Sequence, residues 1–162
     1  SLASLFHNNA SLSKATIKGS FNALESMSSM FNSCTNLSSV VVDGFTIQNG
    51  MADYGGGAYL RKNTTINNCI LRNNDARVYG LAVYVSYGKI KNSIICNNSS
   101  SNAYRTIYLY HSELDSCVVK NNTTYYGSGV FAEAYSSVSN TKIDSNKNTI
   151  MILLCICIII PS

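Results

Sequence analysis

Apolar and polar positions recur along this chain at one long period. Set in steps of 24, the stretch from Thr65 to Ser145 falls into register with itself. Ile66, Ile90, Leu114 and Val138 form one column, and Leu71, Ile95, Val119 and Ile143 another. Cys69, Ser93, Cys117 and Thr141 make a third, and Asn74, Asn98, Asn122 and Asn146 a fourth. The same step carries Ile66 to Val42, and VVDGFTIQNG at 41–50 fits without a gap. A fixed period of about 20–50 residues marks a solenoid, in which each repeat buries its apolar residues only against its neighbours. A turn of this length has room for two or three short strands and their corners. Ile66, Cys69 and Leu71 are expected to point inward. Asn68 and the pair Asn73 and Asn74 are expected at corners, because asparagine tolerates left-handed dihedrals. Side chains of one asparagine column can hydrogen-bond along the stack as amide ladders do. A further strand is expected at 56–59, 81–84, 105–108 and 127–131, where the spacing slips by a residue or two. A corner loop of varying length accounts for the slip.

Residues 1–45 carry a repeat of their own, at 25. Leu2 falls over Met27, Leu5 over Met30, Phe6 over Phe31, Leu12 over Leu37, Ile17 over Val42 and Gly19 over Gly44. Met27, Met30 and Phe31 have the i, i+3, i+4 spacing of one helix face, whereas Val40 and Val42 alternate as a strand does. The line M-x-x-M-F-x-x-C-x-x-L-x-x-V-x-V resembles the BspA-type leucine-rich surface repeat, which implies a short α/β solenoid segment over 1–44. Two amphipathic helices preceding a β domain are the competing reading.

DGFTIQNG at 43–50, GGGAY at 55–59 and TINNC at 65–69 resemble the first coils of extracellular right-handed parallel β-helix proteins of the pectate-lyase-like superfamily. The chain is also similar to the repeats of polymorphic outer-membrane proteins, through Gly56-Gly57-Ala58 and a softened F-x-x-N at Leu71 to Asn74 and its equivalents. Tyr59 stands where those repeats usually place an aliphatic residue. The resemblance implies an all-β fold, a right-handed parallel β-helix over 40–149, and an extracellular or cell-surface location. The period sets the length of each turn at about 24 residues, within the range of known solenoid repeats. Residues 150–162, beginning IMILLCICIII, leave the register. An end strand or cap, a truncated membrane anchor and a sequence artefact remain open for this apolar tail, which is too short to span a bilayer as a helix. The chain opens SLASLF and is read as part of a longer protein.

Composition narrows the function without naming it. Charged residues are 12% of the 162, the net charge is +4, and no Lys/Arg cluster occurs, which argues against nucleic acid as a partner. The cysteines read as small buried hydrophobes. Cys69 and Cys117 share a column but lie two turns apart, about 9–10 Å at the usual strand spacing, too far for a disulfide. No zinc-type spacing is present, so no metal and no cofactor are expected. Of the acids only Glu113 and Asp115 are close, flanking an inward Leu114 as solvated edge charges. His111 beside Ser112 has neither an acid partner nor an oxyanion site. No catalytic residue is assigned, and the chain is read as not an enzyme.

Eleven tyrosines are the more informative group. Tyr59, Tyr84, Tyr108 and Phe131 fall close to one column, with Tyr79, Tyr104 and Tyr126 just before it. They are the candidate ligand-binding residues, a ladder of rings facing a glycan or an extracellular or host protein. Rings that stack on one another to shield a sheet are the alternative. The expectation is a non-catalytic cell-surface or secreted scaffold with an adhesive or structural role, reaching a membrane only through an anchor elsewhere or through the apolar tail. A fragment of a polysaccharide lyase or glycoside hydrolase, with its catalytic residues outside this chain, is the second reading.

Overall fold

A computed structural model describes residues 8–18 and 38–149. The described residues form strands, turns and bends, with no helix among them. Strand β1 (Lys14–Lys18) comes first. One coil then follows as β2 (Ser39–Asp43), β3 (Thr46–Gln48), β4 (Met51–Tyr54) and β5 (Ala58–Leu60). The next is β6 (Thr64–Asn67), β7 (Ile70–Arg72), β8 (Asp75–Tyr79) and β9 (Val83–Ser86). The third is β10 (Lys89–Lys91), β11 (Ile94–Cys96) and β12 (Ile107–Tyr110). The fourth is β13 (Glu113–Asp115), β14 (Val118–Lys120), β15 (Thr123–Thr124) and β16 (Val130–Glu133). The last described coil holds β17 (Ser137–Ser139), β18 (Lys142–Asp144) and β19 (Lys147–Asn148).

Strands do not pair within a coil. Each pairs with its equivalent one coil away, always in parallel, so the chain is a parallel β-solenoid of about five coils. The sheets run β1-β2-β6-β10-β13-β17, β3-β7-β11-β14-β18 and β5-β9-β12-β16, with short pairings of β4 to β8 and β15 to β19 between. The repeating columns of the sequence are the strand registers. Ile66 pairs with Ile90, Ile90 with Leu114 and Leu114 with Val138. Leu71 pairs with Ile95, Ile95 with Val119 and Val119 with Ile143.

The longer repeat at the start of the chain is also a register, since Ile17 pairs with Val42 and β1 lies on the same sheet as the coils that follow. The helix expected around Met27, Met30 and Phe31 lies outside the described residues, as does the apolar tail from 150 onward.

Corners explain how so short a loop of chain closes. At each one a residue takes a left-handed backbone conformation that turns the strand direction. Asn49, Asn73, Asn97, Asn121 and Ser145 hold one corner of successive coils, and Gly44, Asn68, Asn92, Ser116 and Asn140 the next. Asn63, Tyr87, His111 and Tyr135 hold a third, and Gly55, Gly80, Arg105 and Gly127 the fourth. Asparagine and glycine dominate because they enter this region at the least steric penalty. Tyr87, His111 and Tyr135 are bulkier, and their rings stack: Tyr87 on His111 at 4.7 Å, and His111 on Tyr135 at 5.6 Å.

The interior is layered. Ile66, Ile90 and Leu114 are at most 1% exposed, and Leu71, Ile95 and Val119 fully buried, with Val83, Val85, Ile107 and Leu109 facing them from the opposite sheet. Val138 is 39% exposed and Ile143 46%, because they belong to the last described coil and no layer among the described residues covers them. Asn73 and Asn74, expected together at a corner, divide the work. Asn73 makes the left-handed turn, while Asn74 points inward and is buried.

The inward asparagines form a continuous ladder. The amide nitrogens of Asn74, Asn98 and Asn122 donate to Oδ1 of Asn98, Asn122 and Asn146 at 3.0, 2.8 and 2.8 Å. The same oxygens accept the backbone N–H of Asn74, Asn98 and Asn122 at 2.9, 3.1 and 3.0 Å. These three nitrogens and that of Asn146 also reach back one coil to a carbonyl: Ile47, Leu71, Ile95 and Val119 at 3.1, 3.1, 3.0 and 2.9 Å. In this column the first described coil carries Gly50, whose N–H donates to Asn74 Oδ1 at 3.0 Å. A side chain there would meet the Gly56 carbonyl at 2.1 Å.

The cysteine column works the same way at another corner. Ser93 Oγ accepts the Cys69 N–H at 3.1 Å, and Thr141 Oγ1 accepts that of Cys117 at 3.2 Å. Cys69, Cys96 and Cys117 are free and buried.

The layering sets two expectations for mutants. Asn98→Ala removes the bonds donated to Leu71 and Asn122 and takes away the oxygen that accepts the Asn74 backbone N–H inside the core, so it should lower unfolding free energy by about 3 kcal/mol in denaturant titration. Asn146→Ala, at the half-buried end of the ladder, should lose about 1 kcal/mol. Ile90→Asp places an unpaired charge between two coils and should abolish the β signal in circular dichroism. Val138→Asp should leave it intact.

Candidate functional site

Period-two alternation on the sheet β5-β9-β12-β16, the fourth sheet met in chain order along a coil, sends Leu60, Val85 and Leu109 inward and the aromatic column outward. The register sets Tyr59 beside Tyr84, Tyr84 beside Tyr108 and Tyr108 beside Phe131. The structure therefore brings all four expected residues into one row, although the step between them shortens along the row as the fourth corner changes length. Ring centroids are 4.9, 4.7 and 5.1 Å apart along the row, with interplanar angles of 33°, 5° and 39°. These distances follow from the backbone. Strands about 4.8 Å apart put equivalent outward rings at stacking distance with no adjustment.

A second row lies alongside. Tyr54, Tyr79, Tyr104 and Tyr126 are aligned by the pairing of β4 with β8 and by single bridges beyond it. Their centroids are 6.2, 5.7 and 5.3 Å apart. The rows touch through Tyr54 and Tyr84 at 5.9 Å and through Tyr79 and Tyr108 at 5.5 Å. Sequence reasoning misses Tyr54, yet the step from Tyr54 to Tyr79 is the same one that carries Tyr79 to Tyr104. Cations edge the surface: Arg61 lies 5.4 Å from the Tyr59 ring centre and Arg105 4.4 Å from that of Phe131.

What this face exposes is set by how the rings pack. Tyr84 and Tyr108, and Tyr104 and Tyr126, turn ring faces to each other, and the remaining contacts within the rows are tilted. Tyr59 is 46% and Tyr54 48% exposed, while Tyr84 and Tyr108 are half-buried. The Tyr108 hydroxyl donates to Glu133 Oε2. Burial pushes the Tyr108 phenol up from its ordinary value, and the Glu133 carboxylate adds to the rise. Tyr84 is raised in the same direction, mainly by burial.

Apart from Glu133, the acids with side-chain partners are held by structural contacts. Glu113 takes Lys89 on Oε2 at 2.8 Å and Lys91 on Oε1 at 2.7 Å, and these bonds hold its carboxyl below the usual range. Asp115 accepts from Ser139 Oγ at 2.7 Å and Asn140 Nδ2 at 2.9 Å, with the same effect. Asp53 pairs with Arg77 at 3.1 Å. Ser112, beside His111, turns its hydroxyl inward to the Tyr110 carbonyl at 2.7 Å. His111 itself stacks between Tyr87 and Tyr135. Sequence reasoning misses that corner column too, though Tyr87, His111 and Tyr135 recur at the regular step. Among the described residues no group of three or more His, Cys, Asp or Glu side chains is placed to hold a metal ion.

No protein-family model, curated protein or solved structure matches the chain.

The Tyr108 contact makes a pH prediction. Unfolded, its phenol ionises near the ordinary value of about 10; folded, it keeps its proton to higher pH. Above about 10 the unfolded state therefore binds fewer protons than the folded one, and stability falls as pH rises from there. Denaturant midpoints should drop on the alkaline side, and the drop should shrink in Tyr108→Phe.

Proposed function

We propose that this chain is a non-catalytic repeat scaffold of a cell-surface or secreted protein, presenting the tyrosine face to an extended glycan or protein partner. The observation that carries the reading is the double row of rings, one from each row per coil, repeating at the coil pitch. A regular polymer repeats too, so one contact on one coil recurs on the next. Hydroxyls and ring edges suit the polar, hydroxyl-rich surface of a glycan or an extended peptide. Each hydrogen bond contributes about 0.5–1.5 kcal/mol, and binding is weak per coil and multivalent along the stack. The carboxylates support the non-catalytic part: each acid described above sits on lysine, arginine, asparagine, serine or tyrosine rather than facing a second acid across a cleft, as acid–base hydrolysis requires.

The finer assignment belongs to the same proposal. A right-handed coil is the sense that parallel crossover connections adopt. Kinship with extracellular pectate-lyase-like β-helices, with a BspA-type leucine-rich segment before them, rests on DGFTIQNG, GGGAY and the M-x-x-M-F-x-x-C line.

The test is retention of the purified chain on arrays of cell-surface glycans and extracellular-matrix proteins. The double variant Tyr84→Phe, Tyr108→Phe keeps the stack and removes two hydroxyls, and it should lose most of the retention with an unchanged circular dichroism spectrum. Unaltered retention would sink the tyrosine face. Turnover of polyuronate by the chain, with or without Ca²⁺, would sink the non-catalytic reading.

A further inference from the structure

The aromatic face contains two well-stacked tyrosine pairs that differ in one respect. Tyr84 and Tyr108 have centroids 4.7 Å apart and planes within 5°, and Tyr104 and Tyr126 are at 5.3 Å and 11°. The Tyr108 hydroxyl donates to the Glu133 carboxylate, whereas neither Tyr104 nor Tyr126 has a carboxylate on its hydroxyl among the described residues. A phenol that gives up an electron becomes a strong acid and must shed its proton. A carboxylate already hydrogen-bonded to it takes that proton in the same step, with no movement of heavy atoms. Oxidation is therefore easiest at Tyr108.

We propose that Tyr84 and Tyr108 form an oxidative cross-linking site, at which a haem peroxidase consuming hydrogen peroxide joins them as dityrosine and staples two successive coils. Tyr108 loses one electron to the oxidant and its phenolic proton to Glu133. Tyr84 loses one electron to the oxidant and its proton to water. The two phenoxyl radicals combine through a new carbon–carbon bond between ring positions ortho to the oxygens. The hydrogens on those carbons then move to the oxygens and restore both phenols. Two electrons and two protons have left the protein, and together they reduce one hydrogen peroxide to two waters.

The neighbouring rings give the oxidant access. Tyr59 and Tyr54 lie 4.9 and 5.9 Å from Tyr84, Tyr79 lies 5.5 Å from Tyr108, and all three are exposed. An electron withdrawn at any of them is replaced from Tyr84 or Tyr108 across one ring contact. Such a staple has no disulfide counterpart among the described residues, where Cys69, Cys96 and Cys117 are free.

The experiment treats the full chain with horseradish peroxidase and limiting hydrogen peroxide, then maps peptides by mass spectrometry. The expected product is a chain that stays monomeric on a denaturing gel, with the peptides of Tyr84 and Tyr108 joined and two hydrogens lighter. Tyr108→Phe should abolish it. Glu133→Gln keeps a hydrogen-bond acceptor but takes no proton, and should slow cross-linking roughly fivefold with circular dichroism unchanged. Tyr104→Phe should leave the yield unaltered. A cross-link mapping to Tyr104 and Tyr126, one only between chains, none at all, or an unchanged rate in Glu133→Gln would each overturn the proposal.

Discussion

A buried asparagine amide has two donor hydrogens and an acceptor oxygen, and each must find a partner in a core closed to solvent. This requirement holds the solenoid together. Asn74, Asn98 and Asn122 meet it by donating one hydrogen forward to the next amide and one back to a carbonyl of the preceding coil. Both bonds exist only if every coil has the same length at this column. A coil one residue longer or shorter would leave a buried amide unsatisfied, at about 1–3 kcal/mol per orphaned group. Apolar layers alone would tolerate such a slip far better, since burial is not directional. The ladder supplies register, and Ile66, Ile90, Leu114 and their neighbours supply the driving force.

Where no such ladder runs, the coil length is free to vary, and it does. Between the asparagine column and the fourth sheet the chain passes through the corner held by Gly55, Gly80, Arg105 and Gly127, whose spacing is uneven. The stretch before that corner is also where strand pairing thins, to single bridges at Ser99, Tyr79 and Tyr104 and a register shift between Ala52 and Tyr54. Variation in length is absorbed there, and the fourth sheet recovers its pairing beyond it. The aromatic face therefore stands on a regular sheet next to the corner of the coil whose length varies, an arrangement that lets this surface change without disturbing the core.

The rings show the same backbone pitch acting on side chains. A strand separation of about 4.8 Å suits both an amide hydrogen bond and an aromatic stack, so one repeat builds an asparagine ladder inside and a tyrosine ladder outside. Inside, the consequence is satisfaction of buried polar groups. Outside, it is a surface whose rings are already in contact with each other.

The sequence by itself determined the coil length, the parallel stacking, the inward columns and the four residues of the outer aromatic row. Each of these repeats at a constant or nearly constant step, and in a solenoid such a step in sequence is a fixed displacement in space. Only the tertiary structure decided the rest. Asn73 and Asn74 read alike as corner residues, and which of them turns the chain and which enters the core depends on the strand direction leaving β7. Glu133 belongs to a column whose other members are Ser86 and Tyr110, so nothing periodic points it at Tyr108. Their contact arises because β12 and β16 pair at a step shorter than the regular repeat, set by a corner whose length follows no rule in the sequence. The stacking of Tyr84 on Tyr108, and with it what the face can offer, likewise rests on ring orientation. Packing against both neighbouring coils fixes that orientation, and no single repeat contains it.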